Sequence, residues 1–394
     1  MTYQPEPVVK IVAFGDEYSL HAKEHFEFLA KHGLELSARF FSFVDRAKLE
    51  HFDNLPTEEY RKKLGELSDS QVVYNVSNAP KKSLQRYADM AKDYGVKAND
   101  VGSPLGKQWI GAASVSDIAK VTNGVVRAAN ALDTRIIRMF SFYPGTRENP
   151  MAANRNEQYR DAIALLRYVG RDLKRAGLVG FLENETGLFG NTGYTLRQII
   201  EDITGNPDGL KFFAYHDGAN DVRQNKRENA ALQSFRELKQ FLAGLHIKDA
   251  PSDYAIKNGE SIETAEWPHS PAGQGDSNYQ VILAEFTQII PRIRRKLKGL
   301  GLDGLVPLVL EPHRQHQGKY GGFTGSLYME SIMALRGLLD GINRGVNVHN
   351  SEVFNMYQGE GDKIVSTRQS RLKKGIPYRP LLDIPDRPLL TRAV

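Results

Sequence analysis

The chain has 394 residues, 41% of them hydrophobic and 25% charged, with a formal net charge of +5 and no cysteine. Without cysteine there are no disulfides, thiolate nucleophiles or Cys-held zinc, so any metal must be held by carboxylates and imidazoles. No apolar run reaches the ~18 residues of a membrane span, and residues 1–7 lack the basic and apolar blocks of a secretory leader. The expectation is a cytoplasmic protein with no membrane partner.

Hydrophobic periodicity predicts strands over 9–14, 34–41, 96–102, 135–142, 178–184, 211–216, 243–248 and 306–311. Between them, amphipathic spacing predicts helices over 19–32, 81–94, 115–131, 157–176, 195–203, 230–243 and 279–300. Gly33, Gly95, Gly177 and Gly301 stand just past four of the predicted helices, as C-caps do. Strands alternating with helices imply an α/β fold, either a (β/α)8 TIM barrel or a doubly wound open sheet. The barrel is favoured because polar residues end many of the strands, whereas an open sheet gathers them at one crevice. The first strand is also not followed by Gly-x-Gly-x-x-Gly.

Residues 8–350 are therefore expected to be the barrel and 351–394 a C-terminal extension. The basic charge lies in that extension: residues 363–394 carry a net +6, which leaves the rest of the chain at −1. A near-neutral body argues against a nucleic-acid partner. Pro alternates with apolar pairs from Gly375 to Leu390, which reads as an extended arm packed on the barrel or on a neighbouring subunit of a homo-oligomer, with a disordered tail or a partner-binding segment as the alternatives.

Four strand ends in the second half carry metal-capable side chains: Phe181-Leu182-Glu183-Asn184-Glu185, Phe213-Ala214-Tyr215-His216-Asp217, Leu245-His246-Ile247-Lys248-Asp249 and Leu308-Val309-Leu310-Glu311-Pro312-His313. Two Glu, one Asp and one His delivered this way would form a mixed oxygen and nitrogen cage for one divalent cation. The interval from Asp249 to Tyr279, with Pro271-Ala272-Gly273-Gln274-Gly275-Asp276, is long for a barrel loop and reads as a lid or substrate wall, with plain turn glycines as the alternative. His21, His25 and His32 read as a solvated helix face, and His216 as a packed imidazole turned away from Asp217. His313 and His316 are placed near the barrel mouth. The segment from Gly318 to Ser326 could offer backbone N–H groups to a phosphate.

Ordered motifs run along nearly the whole chain up to Leu339. They are Gly15-Asp16-Glu17, Gly102-Ser103-Pro104-Leu105-Gly106-Lys107, Ile137-Arg138-Met139-Phe140-Ser141-Phe142-Tyr143, Leu182-Glu183-Asn184-Glu185-Thr186-Gly187-Leu188-Phe189-Gly190, Asp217-Gly218-Ala219-Asn220, His246-Ile247-Lys248-Asp249-Ala250, Pro271 to Asp276 and Leu310-Glu311-Pro312-His313. With them the chain resembles the sugar phosphate isomerase/epimerase proteins of the xylose isomerase-like TIM-barrel superfamily, which includes ketose 3-epimerases and endonuclease IV. The resemblance implies that Glu183, Asp217, His246 and Glu311 bind one divalent metal ion. Manganese is the first expectation, with magnesium, cobalt and zinc as alternatives. It implies further that Glu183 and Glu311 are the acid/base pair.

Such a site would act on a small-molecule carbohydrate by stabilising an enediolate. Proton transfer between two faces gives epimerisation, transfer between adjacent carbons gives isomerisation, and departure of a hydroxide gives a lyase or dehydratase acting on a sugar or cyclitol. An endonuclease IV-like phosphodiesterase would need more metal ligands than the strand ends supply. Lys107, Glu185, Asn220, Lys248 and His313 are the expected substrate contacts. Where some ketose epimerases carry a His after the metal Asp and an Arg after the metal His, this chain has Asn220 and Ser252, so its substrate contacts differ.

Overall fold

A computed structural model describes residues 8–43, 73–147, 149, 154–205, 207–224, 227, 229–252, 269–313 and 325–342. The strands, in chain order, are β1 (Val9–Phe14), β2 (Glu35–Ala38), β3 (Phe40–Ser42), β4 (Val73–Asn75), β5 (Ala98–Gly102), β6 (Ile136–Met139), β7 (Val179–Glu183), β8 (Phe212–Asp217), β9 (Leu242–Ile247) and β10 (Val306–Leu310). Eight of them form a closed barrel in the order β1, β10, β9, β8, β7, β6, β5, β2, with every pairing parallel. Closure removes the sheet edges and leaves each strand covered on both faces, by the barrel interior and by helices. Apolar runs such as Val-Lys-Ile-Val-Ala-Phe in β1, buried at all six positions, are what that double cover demands.

The helices are α1 (Ala22–Lys31), α2 (Lys81–Asp93), α3 (Val115–Ala131), α4 (Arg155–Arg175), α5 (Gly193–Thr204), α6 (Gly218–Gln224), α7 (Ala230–Leu238), α8 (Tyr279–Gly299) and α9 (Gly325–Ile342). Local sequence sets several of their ends. Ser114 caps α3 by accepting from the Asp117 N–H at 3.0 Å, and Thr192 and Thr195 form a capping box on α5. Gly33, Gly95, Gly177 and Gly301 all adopt positive φ, the left-handed turn expected after helices.

Three expectations are corrected. The strand expected over 34–41 is two elements, because the chain leaves the barrel at Arg39 and β3 pairs antiparallel with β4 in a separate two-stranded sheet. The helix expected over 230–243 stops at Leu238, passes through a 3-10 turn at Lys239–Phe241, and gives Leu242 to β9. The third concerns the histidines of α1. His25 is fully buried and 3.2 Å from the Tyr87 hydroxyl, and His32 is buried against Phe28, so neither lies on a solvated face. The helical stripe explains it: His25 stands three residues after Ala22 and four before Leu29, both core residues.

The interval expected to form a lid or substrate wall is described only at its two ends, and residues 253–268 lie outside the described residues. So do His316, residues 318–324 of the expected phosphate-binding segment, and the whole C-terminal arm.

Candidate metal centre

Strand register brings the four proposed ligands together. Glu183 ends β7 beside Tyr215 of β8, Asp217 ends β8 beside His246 of β9, and His246 lies beside Val309, two residues before Glu311. Paired residues share a face and residues two apart on a strand return to it, so all four side chains enter the barrel interior at the C-terminal end of the strands.

One donor atom from each of Glu183, Asp217, His246 and Glu311 lies within 4.8 Å of all the others, and all four residues are buried. His246 Nδ1 is 3.3 Å from Glu183 Oε1 and 3.2 Å from Glu311 Oε2. Its ring is held between Phe14, edge-on at 5.8 Å, and Tyr215 at 4.8 Å. Tyr215 fits there because Gly244 has no side chain: a Cβ would lie 2.6 Å from the Tyr215 ring and 2.6 Å from the Pro307 carbonyl.

Behind the ligands stands a polar scaffold. The Asn184 amide accepts from the Asp217 N–H at 2.8 Å and donates to the Asp217 carbonyl at 2.9 Å and to Asp221 at 3.1 Å. Asp221 pairs in turn with His216 Nε2 at 2.9 Å, which confirms His216 as a packed imidazole. The Asn220 N–H donates to Asp217 Oδ1 at 3.0 Å, and its side-chain amide reaches Glu183 Oε1 at 3.4 Å. These bonds fix the carboxylates before any cation arrives.

The cations nearby are arranged around the same carboxylates. Lys248 Nζ is 2.8 Å from Asp217 Oδ2 and 3.6 Å from Glu311 Oε2. Arg138 Nε is 3.6 Å from Glu183 Oε2, and Arg39 Nη1 donates to Glu311 Oε1 at 2.7 Å. Burial alone would raise Glu183, but His246 and Arg138 outweigh it and hold the carboxyl at about 2. Burial pushes Asp217 up, and the neighbouring Glu183 and Glu311 add to it against Lys248, leaving it at about 7. Burial would lower His246, yet Glu183 and Glu311 overcome it and bring the imidazole up to about 9.

The carboxylates thus demand positive charge at this point, and without a metal the imidazole supplies it by holding a proton. A bound divalent ion would take over that role and leave the imidazole neutral. Among the described residues Glu183 Oε2 is buried with no hydrogen-bond partner, Arg138 Nε standing off at 3.6 Å, as befits an oxygen open to a cation. Three carboxylates and one imidazole suit Mn²⁺, Mg²⁺, Co²⁺ or Zn²⁺.

The other sequence-predicted residues divide into two groups. Lys248, Asn220 and His313 join the site, His313 through Nε2 at 3.3 Å from Glu311 and Nδ1 at 2.9 Å from Glu17. Lys107 and Glu185 instead pair with each other at 2.7 Å, with the ammonium 4.3 Å over the Phe140 ring and partly exposed. Sequence reasoning gave no role to Arg39, Arg138 or Asn184, nor to Asp16 and Glu17, which grip Arg39 at 2.9 and 3.0 Å. Arg138 carried a signal, being a charged residue inside a buried apolar strand. Arg39 carried none.

The described segment before α8 is clasped by Asp249. Its carboxylate accepts from the N–H groups of Gly273 at 2.9 Å, Gly275 at 3.0 Å and Ser277 at 3.0 Å. A Cβ on Gly275 would stand 2.4 Å from Asp249 Oδ1, so this glycine is there for close approach.

A family model for the xylose isomerase-like TIM barrel matches residues 66–293. No curated protein matches the chain. Similar solved structures include the probable 3-DHS dehydratase AsbF of Bacillus anthracis, 13% identical over 86% of this chain and 100% of that one, with a TM-score of 0.50. D-psicose 3-epimerase of Clostridium cellulolyticum H10, solved with D-tagatose, is 13% identical over 85% of this chain and 99% of that one, also at 0.50. A xylose isomerase-like TIM barrel/4-hydroxyphenylpyruvate dioxygenase fusion protein is 13% identical over 86% of this chain and 43% of its own length, at 0.51. At such identities the structural likeness speaks for the fold. With the closed eight-stranded parallel barrel and the match over more than half of its length, the chain belongs to the xylose isomerase-like TIM-barrel family.

Proposed function

We propose that this protein is a divalent-metal-dependent isomerase or epimerase of a small sugar, sugar acid or sugar phosphate. The observation that carries the reading is the convergence of Glu183, Asp217, His246 and Glu311 at the C-terminal mouth of the barrel, each within 4.8 Å of the others. One divalent ion, when bound, would draw electrons from a carbonyl and its neighbouring hydroxyl and so favour loss of the proton on the hydroxyl-bearing carbon. Asp217 and His246 would hold that ion. Glu183 and Glu311, at the ends of strands separated by β8 and β9, would hold it too and carry protons to and from the substrate carbons.

Around this pair the remaining side chains orient and exclude. Asn220 steadies Glu183 and Asp217. Lys248 and His313 flank Glu311, where an ammonium and an imidazole reach a sugar hydroxyl. The Lys107–Glu185 pair at the mouth offers a donor and an acceptor to the far end of the substrate. Among the similar solved structures, one is a probable dehydratase and one an epimerase, and both kinds of reaction can start by taking a proton from carbon.

The test is incubation of the metal-loaded protein with sugars, sugar acids and sugar phosphates in D₂O, followed by NMR. Deuterium entering the carbon next to a carbonyl is expected. Loss of water without exchange would move the assignment to a lyase, and a protein that binds no metal and is indifferent to chelator would remove the cage altogether.

A further inference from the structure

A second cluster adjoins the first. Glu17, Glu311 and His313 also bring donor atoms within 4.8 Å of one another, so Glu311 belongs to both groups. By donor type alone, two carboxylates and an imidazole form a second divalent-cation site bridged to the first. The guanidinium of Arg39 is already there. Its Nη1 is 2.7 Å from Glu311 Oε1, and its Nη2 is 3.0 Å from Glu17 Oε1 and 2.9 Å from Asp16 Oδ2. Arg39 Nε also donates to Asp16 Oδ2 at 2.9 Å.

We propose that Arg39 fills, as a fixed cation, the place beside the metal centre where a second divalent ion would otherwise sit, and so keeps the site at one metal. The proposal rests on the metal-dependent reading above. The oxygens it occupies are those through which Glu17 and Glu311 approach His313: Glu17 Oε1 lies 2.9 Å from His313 Nδ1 and Glu311 Oε1 lies 3.3 Å from His313 Nε2. Nor is the guanidinium held loosely. It lies 4.3 Å over the Phe14 ring with the side chain only 12% exposed, and the Arg39 carbonyl accepts from the Val76 N–H at 2.9 Å.

The chemistry of the two occupants differs in a way that bears on the reaction. A second metal ion would bring an open coordination position and a water of lowered pKa, the nucleophile that hydrolases use. A guanidinium brings five fixed N–H donors, stays protonated and offers no coordination position. It therefore orients Glu311 and balances its charge without generating a hydroxide beside the substrate. A site built this way suits proton transfer at carbon and is poorly equipped for phosphodiester hydrolysis.

The experiment counts Mn²⁺ per folded chain by elemental analysis after desalting, with electron paramagnetic resonance to detect coupled ions. The chains are wild type, Arg39→Lys, Arg39→Met, and Arg39→Met combined with Glu17→Gln. One ion is expected in all but Arg39→Met, which should take up two. Because both ions would share Glu311, its spectrum should show the broadening of a coupled pair. An Arg39→Met chain that folds only in excess Mn²⁺ and then holds two ions gives the same answer. Two ions in the wild type, one ion in Arg39→Met, or an Arg39→Met chain that stays unfolded in excess Mn²⁺ overturns the proposal. No ion in any chain overturns the metal-dependent reading itself, a separate failure.

Discussion

Asn184 contacts no cation donor directly, yet it pairs with both backbone groups of Asp217 much as a neighbouring strand would. Replacing it removes the clamp on the backbone that presents this ligand, although Asn220 and Lys248 still touch the carboxylate. Asn184→Ala is expected to weaken metal binding by about 10- to 100-fold, the usual effect of removing a group that orients a ligand. Competition with a fluorescent chelator would read the change, and unaltered affinity would return Asn184 to a purely structural part. Glu183→Ala and His246→Ala should go further and yield chains that retain less than one ion after desalting. Glu183, Asp217, His246 and Glu311 were legible in the sequence as polar residues at or near the ends of apolar strands, and the resemblance singled them out from neighbours such as Glu185, His216, Asp249 and His313. Arg39 was not, since its partners Glu17 and Glu311 lie 22 and 272 residues away and only barrel closure brings β1, β2 and β10 side by side.

At the scale of elements, β9 depends on a residue with no side chain. Gly244→Ala would drive a methyl group into the Tyr215 ring and the Pro307 carbonyl, both at 2.6 Å, and the carbonyl belongs to the neighbouring strand. Overpacking of this kind costs about 1–3 kcal/mol. Because Tyr215 supports the His246 ring, metal affinity should fall along with the denaturant midpoint; a loss of stability alone would show that the ring contact does not position the ligand. Strand and helix positions were readable from periodicity, and most boundaries fall within two residues of expectation. The exceptions have local causes. The 34–41 run alternates apolar and polar residues up to Phe40 without a break, and what divides it is the turn of Arg39 into the site and the pairing of β3 with β4, neither of which a hydrophobic pattern records.

Across the whole molecule, one buried ion pair stands at the far end of the barrel from the candidate site. Lys10 of β1 lies at the end remote from the metal ligands, 2.9 Å from both Glu35 and Asp303. Lys10→Ala leaves the buried Glu35 without its cation and should cost about 3 kcal/mol while the metal content stays unchanged. Acid should act through His25, which burial holds at about 3 against an ordinary 6.5. Between those values the unfolded chain takes up a proton that the folded chain refuses, so stability falls as pH falls through the window. At pH 5 the loss from this residue is about 2 kcal/mol. Denaturant midpoints at pH 7 and pH 5 should therefore converge in His25→Gln relative to wild type; an identical pH dependence in the two chains would show that His25 does not carry the effect.

The small sheet made by β3 and β4 has a consequence for how the guanidinium is held. Ser42 pairs directly with Val73 and Phe40 with Asn75, so β4 reaches back across thirty intervening residues of sequence to brace the strand that follows Arg39. The Arg39 carbonyl is tied to the Val76 N–H at 2.9 Å, one residue past β4. The backbone of Arg39 is thereby fixed by a sheet separate from the barrel, which works as a splint for the charge beside Glu311.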